Sequence, residues 1–424
     1  VKRLILFAVL LVALPLSAQM KHRVSRIDVR GDVPAGIVVS QSALAEGRSY
    51  SDADLEIAVA RVQRLPFVYD ARYSMEGETL VLEVSGMTRL FGDLDAASVG
   101  VEGEHSSSAA FTGGGRLFLG SGVAEARVME TVAEHSEEQT SADVAYSHYG
   151  IGGTRLFATA GVNYAITRQD GFDPDPALLL LVGYPLSIRQ TLTASASRSG
   201  YSARQRFLIA PQDLEASATQ QNVDLRWTYD TTDDPFFARR GLTIAAGPSW
   251  SRSDSEFDSL TLTFPSLVFG VERSRTESMS RSLSAEARKL WSIGARGAIF
   301  SGVRGAIDRS HVKSSFGDRF ALGVDTRYES KSGVITLGYA HNLFDRARAT
   351  AMRQRIELGA AYSRSEIENV FAFEPYNPSV TTVTAAYLLR PQFATIRLSL
   401  SYVFQETAPA AAGPGPSGPR VPFP

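Results

Sequence analysis

From about residue 95 to residue 404 the chain repeats one pattern: alternating apolar and polar side chains in segments of about ten residues, with turn-rich gaps between them. The last segment, Thr395–Phe404, shows it most plainly. Ile396, Leu398, Leu400, Tyr402 and Phe404 share one parity, and Arg397, Ser399 and Ser401 the other. Val223, Leu225, Trp227 and Tyr229 alternate with Asp224 and Arg226 in the same way, as do Ile356, Leu358 and Tyr362 with Arg355 and Glu357. Side chains on a strand alternate between faces, so each segment has one apolar and one polar face. No convincing amphipathic helix interrupts the series.

Two architectures satisfy such a pattern. A soluble sandwich turns the apolar face inward, whereas a transmembrane barrel turns it to lipid and lines a wet interior with the charges. Alternation alone does not separate them, but other features favour the barrel. Residues 1–18 read as a secretory signal peptide: Lys2 and Arg3, an apolar run Leu4–Leu14, then Pro15-Leu16-Ser17-Ala18 as the exit. No later stretch is apolar for the roughly 20 residues a spanning helix needs. Cysteine is absent, which suits a chain that crosses an oxidising compartment unfolded. Tyr229, Trp250, Trp291, Tyr339, Tyr387 and Tyr402 fall at strand ends, where interfacial aromatic girdles sit. The expected fold is mainly β: a closed antiparallel transmembrane barrel of about 16 strands over residues 95–404, behind one small domain. The Pro/Ala/Gly-rich tail 405–424 is expected to be disordered.

The small domain is expected over residues 21–86. Val24–Val29 reads as a strand and Ile37–Glu46 as a helix stopped at Gly47. Ser51 and Asp54 form a capping signal for a second helix with Leu55, Ala58, Val62 and Leu65 on one face. Val68–Met75 and Thr79–Val84 then make a hairpin around Glu76-Gly77-Glu78. The order β-α-α-β-β, with ALAEGRSYSDADLEIAVARVQRLPFVYDARY in its middle, resembles a POTRA domain of the BamA/TamA family.

The stretch WTYDTTDDPFFARRGL, residues 227–242, resembles a periplasmic turn of the same family, and RLFLGSG at 116–122 resembles its early barrel segment. Physically, Asp233-Asp234-Pro235 stops one strand and Gly241 lets the backbone enter the next, with Asp230 and Phe236 flanking the turn. Leu398, Leu400, Tyr402 and Phe404 resemble the C-terminal assembly signal of bacterial outer-membrane barrels. The family carries an inward loop whose arginine pairs with an acidic wall residue. Val303-Arg304-Gly305 keeps part of that motif but continues with Ala306, and Arg319-Phe320-Ala321-Leu322-Gly323 leads to Asp325-Thr326-Arg327-Tyr328 without the glycine. Arg304 and Arg327 are the candidate loop arginines, with Asp308 and Asp325 as candidate partners. About seventeen segments can be counted against the family's sixteen; an even barrel requires that one does not span, and 253–282 is the least regular.

The resemblance implies an outer-membrane location with the N-terminal domain in the periplasm. It implies partners in outer-membrane lipid, in unfolded β-rich clients, and in periplasmic or lipoprotein accessory proteins. The implied role is insertion or export of protein by strand pairing; the rival is a passive channel or surface antigen that keeps the fold alone. No enzyme, cofactor or metal is expected. His22, His105, His135, His148, His311 and His341 fit no metal-ligand spacing, and no G-x-S-x-G elbow occurs. A net charge of −2 gives no reason to propose a nucleic-acid partner.

Overall fold

A computed structural model describes residues 21–406 except 102–103, 134–135, 168–171, 206–213, 264–267, 317–321, 344–351 and 370–378. The leader at 1–18, the tail beyond 406 and Arg319–Ala321 therefore lie outside the described residues.

The N-terminal unit begins with β1 (Lys21–Val24) and β2 (Arg26–Gly31), so the single strand expected at 24–29 is divided. Ser25 marks the division: its N–H donates to Glu78 O at 2.9 Å, and its hydroxyl reaches the same oxygen at 3.2 Å. Helix α1 (Ala35–Ser42) stops short of Glu46 because Ala43 adopts the left-handed conformation, with φ 59°. Strand β3 (Arg48–Ser51) pairs with β1 and leads into α2 (Asp52–Gln63). The capping signal forms as read: the Asp54 N–H donates to the Ser51 hydroxyl while the Ser51 N–H donates to the Asp54 carboxylate. Strands β4 (Val68–Glu76) and β5 (Thr79–Gly86) form the hairpin, and the sheet order is β2-β5-β4. Leu55, Ala58, Val62 and Leu65 all enter the core beneath this sheet.

The barrel follows. Its strands are β6 (Leu90–Val101), β7 (Glu104–Leu119), β8 (Gly122–Ala133), β9 (Ser136–Tyr149) and β10 (Phe157–Thr167). Next come β11 (Phe172–Pro185), β12 (Gln190–Gln205), β13 (Leu214–Asp230), β14 (Gly241–Thr263) and β15 (Val268–Ile293). The wall is completed by β16 (Gly297–Phe316), β17 (Leu322–Asn342), β18 (Met352–Asn369), β19 (Ser379–Pro391) and β20 (Ala394–Glu406).

Among the described residues the closed barrel therefore has 15 strands, not 16. Consecutive strands pair antiparallel, and the closing pair, Ala394–Val403 against Gly92–Val101, is parallel. An odd count makes this necessary, since first and last strands then both run away from the N-terminal unit. The segment count overshot because β14 and β15 are 23 and 26 residues long, so each contains more than one ten-residue alternation. The irregular stretch 253–282 is the far part of this one hairpin, paired from Gly241↔Leu290 to Thr263↔Val268.

Which face is inside is settled by pairs between strands that are not neighbours. Arg226 on β13 bonds Glu286 on β15, and Arg288 on β15 lies 3.6 Å from Glu357 on β18. Only a concave interior brings such side chains together. The opposite parity is exposed and apolar: Leu225, Leu358 and Leu398 are 38%, 53% and 42% exposed on the outer surface. An oily outside and an ionic inside are what a bilayer requires of a closed sheet. Among the described residues no helix is long and apolar enough to cross a membrane.

Candidate functional site

The mouth of the barrel on the N-terminal side is built around the turn between β13 and β14. Asp230 accepts from the Thr232 N–H at 2.8 Å and its hydroxyl at 2.7 Å. One oxygen of Asp233 accepts the Arg239 and Arg240 N–H groups at 2.9 and 3.2 Å. One oxygen of Asp234 accepts those of Phe236 and Phe237, both at 2.9 Å. Pro235 stands between the two sets, so three carboxylates organise the loop as its sequence suggests. Gly241 adopts φ +127°, and a Cβ there would stand 2.5 Å from the Thr232 Cα, which excludes other residues without rearrangement.

Asp234 also anchors the turn to the barrel interior. Its second oxygen bonds the Arg353 guanidinium at the start of β18, with both side chains buried. Burial alone would raise this carboxyl's pKa. Arg353 and the two backbone N–H groups outweigh burial and hold it below the ordinary 3.8. Arg355, two residues on, donates to Ala238 O at 2.7 Å and to Glu357 at 2.6 Å. The Phe237 ring lies 4.4 Å from the Arg353 guanidinium carbon, and the Phe236 ring 3.8 Å from that of Arg390.

Arg390 connects the turn to the N-terminal unit. It is 1% exposed and donates to Val68 O at 2.8 Å and Tyr69 O at 3.4 Å, at the start of β4. Gln392, beyond it, donates to Gly86 O at 2.9 Å. Helix α2 is held at the rim by Arg64–Asp230 (2.6 Å), Asp54–Arg189 (2.5 Å) and Glu56–Arg240 (2.6 Å). Arg61 donates to Gln41 O and across to Thr191 Oγ1, at 2.6 and 2.7 Å. Burial, reinforced by Arg64 and Arg155, pulls the Arg61 pKa down to about 10. On another sector Phe67 meets Phe118 and Tyr149 edge-on at 5.4 and 5.7 Å, and one apolar core runs from α2 to Val123 and Phe157 in the barrel. The unit is thus packed against the mouth by buried apolar contacts as well as charges.

Farther in, a cavity of about 770 Å³ is lined by Asp224, Arg226, Glu286, Arg304, Asp308 and several serines. Arg304 and Asp308 share the inner face of β16, four residues apart on a strand rather than on an in-folded loop. Asp325 and Arg327 lie on β17 with the parity of Ile335 and Leu337, which is the outer face; Asp325 bonds His311 at 2.6 Å. The structure therefore does not bring Arg327 to an inward position. Leu398, Leu400, Tyr402 and Phe404 line the outer face of the closing strand β20, with the last two rings 4.6 Å apart.

Sequence reasoning found the turn but missed its partners. Arg353 and Arg390 had no visible signal beyond lying at strand ends near the mouth. Among the described residues no cluster of histidine, aspartate and glutamate could hold a metal ion.

No family model and no curated protein matches the chain. Among solved structures it is similar to BamA from Haemophilus ducreyi lacking POTRA domains 1–3, with TM-score 0.36 and 10% identity, over 92% of this chain and 86% of that one. It is similar to CdiB from Acinetobacter baumannii, with TM-score 0.37 and 8% identity, over 90% and 74%. It is also similar to the siderophore receptor PiuA from Acinetobacter baumannii, with TM-score 0.38 and 10% identity, over 90% and 72%. With TM-scores this low, none of them bears on the role of this chain.

Proposed function

We propose that the chain is an outer-membrane β-barrel protein of the BamA/TamA type, with a POTRA-like periplasmic unit, that assists insertion or export of β-rich proteins by strand pairing. The observation that carries this reading is the link between the unit and the closing strands. Only Met87–Arg89 separates β5 from β6, and β6 is one side of the seam with β20. Thr88 N–H also donates to Gln392 O in the turn that precedes β20. A force on the unit is therefore delivered to both seam strands. The unit's sheet has β2 and β4 as edges, to which an extended client can add a strand through its backbone. The seam is a parallel pair, slightly less stable per residue than the antiparallel pairs around it. Client binding at the unit and opening of the seam then form one sequence that needs no catalytic group.

Deleting residues 21–86 in the native cell is expected to deplete other barrels or a secreted partner from the envelope. Locking the seam through Ala97→Cys and Ser399→Cys is expected to do the same until reductant is added. An unchanged envelope proteome in both cases overturns the proposal. One observation favours a passive pore instead: the inner wall carries Arg304 and Asp308 on rigid strand rather than on a loop. Steady conductance whose ion selectivity inverts in Arg304→Glu, with no envelope phenotype, would support that second reading.

A further inference from the structure

The outer surface carries a one-sided basic arc at the border of its apolar belt. Beyond Lys289, His341 and Gln354 at the mouth end, and followed away from the N-terminal unit, the outward parity of these strands is apolar or small until a next charged residue. On β14 that residue is Arg252, after Trp250; on β15 it is Arg281, after Leu283; on β16 it is Arg309, after Ile307. On β17 it is Lys331, after Ile335 and Gly333, and on β18 Arg364, after Tyr362. All five side chains are exposed. Acidic residues follow next along the same strands: Asp254 and Glu277 both pair with Arg252, at 3.1 and 2.9 Å, and Glu366 follows Arg364, so the unneutralised centre of the arc is at Arg281 and Arg309. The wall across the barrel differs: on β8 the first outward charge beyond Val128 is Glu130.

Within the arc, Arg281 and Arg309 are direct cross-strand partners, and like charges placed opposite one another destabilise a sheet. Glu329 does not neutralise the cluster, because it is shared between Arg309 at 2.9 Å and Lys331 at 3.3 Å. Among the described residues no carboxylate lies within ion-pair distance of Arg281. Trp250 stands opposite Arg281 across the β14–β15 pairing, which puts an interfacial aromatic at the level of the cations.

We propose that this arc binds the phosphate-bearing headgroups of anionic lipids in the leaflet remote from the N-terminal unit. The apolar belt immediately below accepts acyl chains, and the opposed arginines supply donors to a phosphate that removes their mutual repulsion. A soluble phosphate would satisfy the arginines but would have no use for the apolar surface beneath them. The proposal rests on the membrane-barrel reading.

The test uses the full chain with Trp227→Phe and Trp291→Phe, which leaves Trp250 as the single tryptophan. It is reconstituted in phosphatidylcholine vesicles containing brominated phosphatidylglycerol or brominated phosphatidylcholine, and Trp250 quenching gives the relative affinity for each. The expected preference for the anionic lipid is about fivefold, the factor of one basic residue at an anionic surface. It should fall to about unity in Arg281→Gln/Arg309→Gln, and a variant retaining only Trp291, at the other border, should show none. Equal quenching in the parent, or an unchanged preference in the double variant, overturns the proposal. Loss of preference on adding inorganic phosphate, but not chloride of equal ionic strength, assigns the arc to soluble phosphate and also overturns it. Quenching by neither lipid would instead mean that the chain does not enter the bilayer, and would refute the membrane reading itself.

Discussion

The Arg390 guanidinium lies 3.8 Å from the centroid of the Phe236 ring and also donates to backbone carbonyls of the N-terminal unit. One buried arginine thus joins a barrel strand, the β13–β14 turn and the unit that covers the mouth. Its replacement tests the docking directly. Arg390→Leu leaves Val68 O and Tyr69 O unpaired, at a cost of about 2 kcal/mol. Limited proteolysis should cut the Met87–Arg89 link faster in that variant. Arg390→Lys should not restore protection, because an ammonium cannot stack flat on Phe236 while reaching both carbonyls.

Asp234 and Arg353 form the second buried joint. Asp234→Asn leaves Arg353 buried without a counter-charge and should destabilise the folded turn by about 3 kcal/mol, measured as lost protease protection around Arg239–Arg240. In the parent, the Asp234 carboxyl titrates below its ordinary 3.8 when the turn is formed. Its contribution is therefore complete above pH 3.8 and is lost as pH falls through the lower folded value. Protection of the turn should weaken only below about pH 4, and that acid sensitivity should be reduced in Asp234→Asn.

The three rim ion pairs should matter less than the apolar contact beside them. Arg64–Asp230, Asp54–Arg189 and Glu56–Arg240 are partly exposed, and such pairs contribute about 0–1 kcal/mol each. Raising salt to about 1 M, where screening acts within about 3 Å, should change protease protection only a few-fold. Phe67→Ala removes a ring that is 1% exposed and should cost about 3 kcal/mol, undocking the unit at any salt concentration.

Closure by a parallel pair predicts a specific crosslink. Ala97 and Ser399 are register partners on the inner face, so cysteines at both positions should join on oxidation in a chain that has none of its own. An epitope placed after Glu406 should be reached from the side of the membrane opposite the N-terminal unit. Crosslinking of Ala97 to another strand, or an epitope on the same side as the unit, would mean that the strand count is even.

Much of the fold was legible because a strand has a period of two. Leu225, Leu358 and Leu398 could be assigned to one face, and Arg226, Glu357 and Arg397 to the other, from spacing alone. The Ser51–Asp54 cap and the Asp233-Asp234-Pro235 turn were legible for a similar reason, since each is a contact between near neighbours in sequence. The strand number was not legible. A long hairpin such as β14–β15 contains the same alternation as two shorter ones, and nothing local reports where a chain crosses the membrane once rather than twice.

Sequence by itself determined that this chain alternates, which side chains share a face, and how its caps and turns are made. Tertiary structure alone decided that Arg304 faces the interior while Arg327 faces outward, that Arg353 and Arg390 meet a turn more than a hundred residues away, and that β20 closes on β6 in parallel. The reason is physical. Side-chain parity is fixed by local backbone geometry, whereas register, closure and the partners of a buried charge depend on which distant strands become neighbours.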